Sequence, residues 1–280
     1  DTLSIDHGCS RLFIDGGSNL GESVDAFIAG RFFTCALSGP LRIYGVGWQA
    51  LSNAQRKEVM APLSEPKSFC IRSFEAAPSL LAPLRKKEAA FRKQGLDVRF
   101  INASLSNATA AQAARQIIRY SRHPQGESAA AFRFDDINVA PGGIVKPKQV
   151  FNWTVYGRSY DVVSIIERLR RRNSSAVVAL RLDVEGAEYS IIHALVDRPE
   201  ILCFISFIFV EFHHSATPEQ RAGLPHYGIA SDSFEKLKDQ VHAAMEQPQC
   251  RLRIYWRSFW ASCGDQQRFE WRDSQQAVGS

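Results

Sequence analysis

"LFIDGGSNLGESVDAF", residues 12–27, begins as a hydrophobic run, breaks at an acid followed by two glycines, and resumes as an amphipathic pattern. These periodicities predict a strand, a glycine turn and a helix. Such a corner offers main-chain N–H groups at a helix start, against which a phosphate, a dinucleotide or another nucleoside can lie. The plainer alternative is an ordinary strand-turn-helix corner.

Spacing narrows the choice. A dinucleotide fingerprint requires G-x-G-x-x-G, and Asp15-Gly16-Gly17-Ser18-Asn19-Leu20-Gly21 contains no G-x-G. Gly16 and Gly21 keep the glycine interval of a phosphate-cradling loop, but Glu22 stands where its lysine belongs and repels phosphate. What remains is D-x-G-x-N-x-G. An acid at the strand end suits a ligand carrying positive charge, such as S-adenosyl-L-methionine with its ammonium and sulfonium.

Outward from this corner, strands alternate with helical stretches. Strands are expected at 11–15, 67–75, 98–103, 177–184 and 203–212, with a last strand or hairpin in "CRLRIYWRSFW" from Cys250. Helices are expected at about 19–29, 79–94, 186–195 and 232–246. This alternation predicts an α/β sandwich: a mostly parallel sheet, helices on both faces and a terminal antiparallel strand. The 280 residues fit a single domain, 1–280, with insertions at about 30–66 and 110–157. Insertions of that length read as functional loops or lids, and "FRFDDINVAPGG" in the second reads as a hairpin.

The net charge of +5 is that of a solvated, mildly basic surface. The Arg168–Arg172 run reads as the close of a helix, where cations favour the dipole. No interleaving of aromatic and basic residues marks a nucleic-acid groove, so no nucleic-acid partner is expected. The most apolar run, Ile201 to Val210, has the length of a buried strand, and no membrane segment is expected in this chain. The chain opens at Asp1 close to the first strand and ends in Gly279-Ser280, which reads as a trimmed chain with a cloning scar.

Six cysteines lack C-x-x-C spacing, so a zinc site is not expected, and Cys203 reads as a small buried hydrophobe. Four of the seven asparagines, Asn102, Asn107, Asn152 and Asn173, open N-x-[ST] sequons. That excess points to the lumen of the secretory pathway, such as the Golgi, rather than the cytoplasm. In that compartment Cys250 and Cys263 would pair across a hairpin.

Ligands of open parallel sheets bind outside the carboxyl ends of the strands. The second strand ends in Glu75-Ala76, an acid able to accept from both ribose hydroxyls, and the third runs into Ser104-Leu105, near which an adenine edge can sit. The fourth ends in Asp183-Val184-Glu185 and the fifth in Glu211-Phe212-His213.

In order, "FIDGGSNLGE", "SFEAAP", "NASLSNA", "LRLDVEGAEYSII" and "FVEFHH" resemble the FkbM-type family of S-adenosyl-L-methionine-dependent methyltransferases over residues 11–214, most specifically at "LDVEGAE". The resemblance implies a Rossmann-like enzyme that methylates oxygens, often on sugars. It assigns Asp15, Gly16, Gly17, Ser18, Asn19 and Gly21 to the cofactor turn, Glu75 and Ala76 to the ribose, and Ser104 and Leu105 to the adenine. The first insertion is long for the family and residues 110–157 do not align with it, so acceptor specificity is expected there.

Methyl transfer to a hydroxyl is an in-line displacement that needs positioning and either a base or a metal to activate the alcohol. Asp183, Glu185 and His213 are the expected catalytic groups. Asp183, Glu211 and His213 also have the donor types for a divalent metal, although no spacing rule compels one. Glu188 reads as a helix N-terminal acid and Arg181 as a buried, carboxylate-paired cation. The rival readings are methylation of protein or nucleic acid, against which stands the lack of a [DN]-P-P-[YFW] motif, and a cofactor-binding module without catalysis.

Overall fold

The computed structural model describes residues 5, 8–38, 43–44, 48–107, 116–123, 126–133, 153–156, 158–184, 187–212 and 231–256. In chain order the strands are β1 (Arg11–Gly16), β2 (Ile43–Tyr44), β3 (Cys70–Glu75), β4 (Val98–Asn102), β5 (Ser104–Ser106), β6 (Gln116–His123), β7 (Gly126–Arg133), β8 (Trp153–Tyr156), β9 (Ser159–Asp161), β10 (Val177–Leu182), β11 (Phe207–Val210) and β12 (Arg253–Tyr255). The helices are α1 (Glu22–Ile28), α2 (Arg31–Ser38), α3 (Asn53–Met60), α4 (Leu81–Lys93), α5 (Val162–Arg172), α6 (Glu188–Val196), α7 (Pro199–Leu202) and α8 (Ser231–Met245).

The main sheet runs β4-β3-β1-β10-β11-β12-β2. Its first six strands are parallel, in the doubly wound order that reverses between β1 and β10. The expected antiparallel strand closes the edge. It is β2, supplied by the first insertion, whereas the chain's late strand β12 runs parallel to β11.

Alternation along β1 explains why both faces are covered. Leu12 and Ile14 pack with Val178, Leu180, Ile208 and Val210 under α5, α6 and α8, while Phe13 points to the other face with Ala179, Phe207 and Phe209 under α1, α2 and α4. There Phe13 stacks on Phe27 at 3.9 Å and meets Phe32 edge-on at 5.8 Å. Each such ring contributes roughly 1.5–3 kcal/mol by leaving water. Phe32, Trp48, Met60 and Leu63 all belong to this core, so the described part of the first insertion is structural packing rather than a lid.

The structure shifts other expectations. Pro199 starts the one-turn helix α7, so the apolar run from Ile201 begins as helix and the strand starts only at Phe207. The hairpin of the second insertion is β6–β7, joined by β8 into a separate antiparallel sheet, and most of "FRFDDINVAPGG" lies outside the described residues. Cys203 is bonded to Cys250, with Cα atoms 4.4 Å apart, and Cys9 to Cys70. The expected Cys250–Cys263 pair and the free, apolar Cys203 are therefore both corrected. Because β11 and β12 are parallel, the segments leading into them start at the same sheet end, which brings Cys203 to Cys250. Among the described residues no helix is long and apolar enough to cross a membrane.

Candidate functional site

The carboxyl ends of β1, β3 and β10 meet at the point where strand order reverses. Gly17 has φ +82°, and a Cβ there would stand 1.7 Å from the Asp183 carbonyl oxygen; one at Gly16 would lie 2.8 Å from Val184. Both glycines thus let the turn press against the end of β10. The turn's N–H groups are likewise spent inside the protein. Gly17 and Ser18 donate to the Phe74 carbonyl, Asn19 to Glu75 Oε2 and Gly21 to the Ser18 carbonyl. At these residues the sequence-based picture of bare N–H groups is corrected: the donors stitch β1 to β3.

Asp15 is fully buried. Its Oδ2 accepts from Ser23 and Ser73, each at 2.7 Å, and its Oδ1 from Arg181 Nη1 at 2.9 Å. Arg181 also donates to the Gly17 carbonyl at 3.1 Å and to Asp183. Burial alone would weaken the guanidinium's hold on its proton, but Asp183, Asp15 and Glu211 outweigh that and push its pKa up. With its charge answered inside, Asp15 holds the turn in shape.

Glu75 is different. It is 6% exposed, and its two oxygens accept from Ala77 N–H at 2.8 Å and Asn19 N–H at 2.7 Å. Burial pushes its pKa up to about 7 against the pull of those hydrogen bonds. A carboxylate has about four acceptor positions, and Ala76 N–H also draws on this one, so about one or two are left for a ligand. Close by in the chain, Asn19 keeps a left-handed backbone (φ +48°) and a buried Oδ1 with no partner. Leu20 is a large hydrophobic residue left 43% exposed to water. Ala76 is half-buried, and Asn102 Nδ2 donates to the Glu75 carbonyl at 3.0 Å.

The other expected groups divide. Ser18 is buried with its hydroxyl toward the Phe74 carbonyl; Ser104 is buried against the Arg158 carbonyl, and Leu105 packs where a Gly16 side chain would be. Asp183 keeps 21% of its side chain exposed just past β10. Glu211 follows β11, its N–H bonded to the Leu182 carbonyl. Glu188 is fully buried and accepts from Val184 N–H at 2.8 Å, pinning the loop after β10. Glu185 and His213 lie outside the described residues. Among the described residues the grouping with metal-donor spacing is Cys9, Cys70 and Asp97, where the sulfurs are joined and Asp97 is paired with Arg72.

An aromatic cluster beyond β10, β11 and β12 was not singled out from the sequence. Phe212 lies 4.7 Å from Tyr189 and 5.6 Å from Trp256, ring centre to ring centre. Tyr189 OH and Trp256 Nε1 are buried without partners, and burial, helped by Glu188, pushes the tyrosine pKa up to about 12. In sequence such residues read as core; the available signal is that each follows a strand end. Comparison of the chain with protein-family models, curated proteins and solved structures finds no match.

Proposed function

We propose that this chain is an S-adenosyl-L-methionine-dependent O-methyltransferase of the FkbM type, acting on a hydroxyl of a glycan or a similar small molecule. The observation that carries the reading is Glu75: a buried carboxylate beside the strand-order reversal, oriented by two main-chain donors and retaining acceptor capacity. Glu75 would accept from the ribose hydroxyls, and the orphaned Asn19 Oδ1 would accept from the ligand's ammonium. When bound, the cofactor supplies an electrophilic methyl group. Arg181 ties the Gly17 turn to Asp183 and so fixes the Asp183 carboxylate relative to the cofactor side. Asp183, with Glu185 two residues after it in sequence and His213 from the sequence that follows β11, would receive the acceptor's hydroxyl proton.

The engagement of Asp183 by Arg181 favours a second reading, a binding module without catalysis. Calorimetric titration with S-adenosylhomocysteine tests the cofactor site, and Glu75→Ala should weaken binding tenfold or more, about 1.5–3 kcal/mol. Cofactor turnover against a panel of monosaccharide glycosides separates enzyme from module: turnover on none of them would favour the module. We also infer a luminal, secretory-pathway location, supported by the Cys9–Cys70 and Cys203–Cys250 disulfides and the sequons.

A further inference from the structure

We propose that Asn173 carries an N-linked glycan and that Asn102, although it opens the same kind of sequon, does not. The inference rests on the luminal reading and is independent of the methyltransferase one. Its basis is the use each asparagine makes of its amide nitrogen.

Asn173 caps the end of α5 before β10. Its N–H donates to the Leu169 carbonyl at 2.8 Å, its own carbonyl accepts from Ala176 N–H at 3.2 Å, and its Oδ1 accepts from both the N–H and the hydroxyl of Ser175, at 3.1 and 2.8 Å. Every polar group of the residue is committed except Nδ2, which has no partner among the described residues. The sequon's Ser174 and Ser175 are exposed. A sugar on Nδ2 therefore displaces no hydrogen bond.

Asn102 is the opposite case. Its Nδ2 donates to the carbonyl of Glu75 at 3.0 Å and approaches that of Ala76 at 3.5 Å, at the last paired residues of β3 and β4. Substitution there removes a donor from the strand pair that holds Glu75 and sets a sugar beside the candidate cofactor site. Asn173 lies at the amino end of β10, about 20 Å of strand away from Asp183, so its glycan leaves the carboxyl-end crevice open. Asn152 and the threonine of the Asn107 sequon lie outside the described residues.

The transfer balances with a polyprenyl-diphosphate-linked oligosaccharide as donor. Nδ2 bonds to the anomeric carbon, the bond from that carbon to the diphosphate oxygen breaks, the diphosphate leaves with the electron pair, and Nδ2 releases one proton. The test is peptide mapping of the full chain purified from the cells that make it. A non-reduced digest maps disulfides, and peptide N-glycosidase in heavy-oxygen water converts glycan-bearing asparagines to labelled aspartate. Label at residue 173, none at 102, and intact Cys9–Cys70 and Cys203–Cys250 bridges are expected. Bridges present with residue 173 unlabelled overturn the site alone; free thiols with no label overturn the luminal reading as well. Label at residue 102 overturns the discrimination. In the same cells Ser175→Ala, which leaves the asparagine in place, should abolish the label at residue 173.

Discussion

If Glu75 holds the ribose of a nucleoside ligand, as proposed, lowering the pH should release that ligand, because Glu75 takes up a proton near neutrality. Glu75 has its pKa pushed up to about 7 by burial, above the 4.5 of an ordinary glutamate. Only the ionised carboxylate can accept from two hydroxyls with both oxygens, so the apparent dissociation constant scales as one plus the ratio of protonated to ionised Glu75. Between about pH 8 and about pH 6 that factor rises roughly tenfold, equivalent to about 1.4 kcal/mol. Near pH 7 binding should also release about half a proton, read from the dependence of the binding heat on buffer ionisation. The assay is titration calorimetry with S-adenosylhomocysteine in several buffers, on the wild type and on Glu75→Gln, which has nothing to titrate. The variant should bind more weakly and show no slope across this range. A pH-independent affinity in the wild type, or an undiminished slope in Glu75→Gln, would refute the assignment.

The ligand-free protein should show the reverse trend in stability. A raised carboxylate pKa stabilises the fold fully below about pH 4.5 and the contribution is lost as pH rises through about 7, on the order of 3 kcal/mol, so the urea-melt difference between wild type and Glu75→Gln should change over that window. Gly17→Ala places a methyl on the Asp183 carbonyl oxygen at a left-handed backbone position and should cost more than about 3 kcal/mol or prevent folding; a melt within 1 kcal/mol of wild type would contradict the turn geometry. Arg181→Met leaves Asp15 buried and unpaired and should cost about 3–5 kcal/mol, with Asp15→Asn in the same chain recovering part of the loss in a double-variant cycle. Cys203→Ser together with Cys250→Ser opens a loop of 47 residues and should cost about 2–4 kcal/mol in chemical denaturation under oxidising conditions, and no loss would mean the bridge is absent.

The part of the fold legible in the sequence is local. The alternation of "RLFID", "CIRSFE" and "VVALRLD" and the glycines after Asp15 depend on residues a few positions apart, whose strand and turn preferences act without the rest of the chain. They were enough for the parallel α/β sheet and for the strand ends where a ligand site belongs, Glu75 and Asp183 among them. The tertiary structure decided which strand lies beside which, and through that every long-range partner. Asp15, read alone, is an acid free to meet a cationic ligand; folding brings Arg181, 166 residues away, onto it and makes it an internal support. A hairpin, the local solution, would match Cys250 to Cys263, but the parallel placing of β12 beside β11 gives it to Cys203 instead. The edge strand Ile43–Tyr44 and the aromatic cluster of Tyr189, Phe212 and Trp256 belong to the same class. Such pairings are selected by the burial and charge balance of the whole packed chain, and no short window of sequence carries that information.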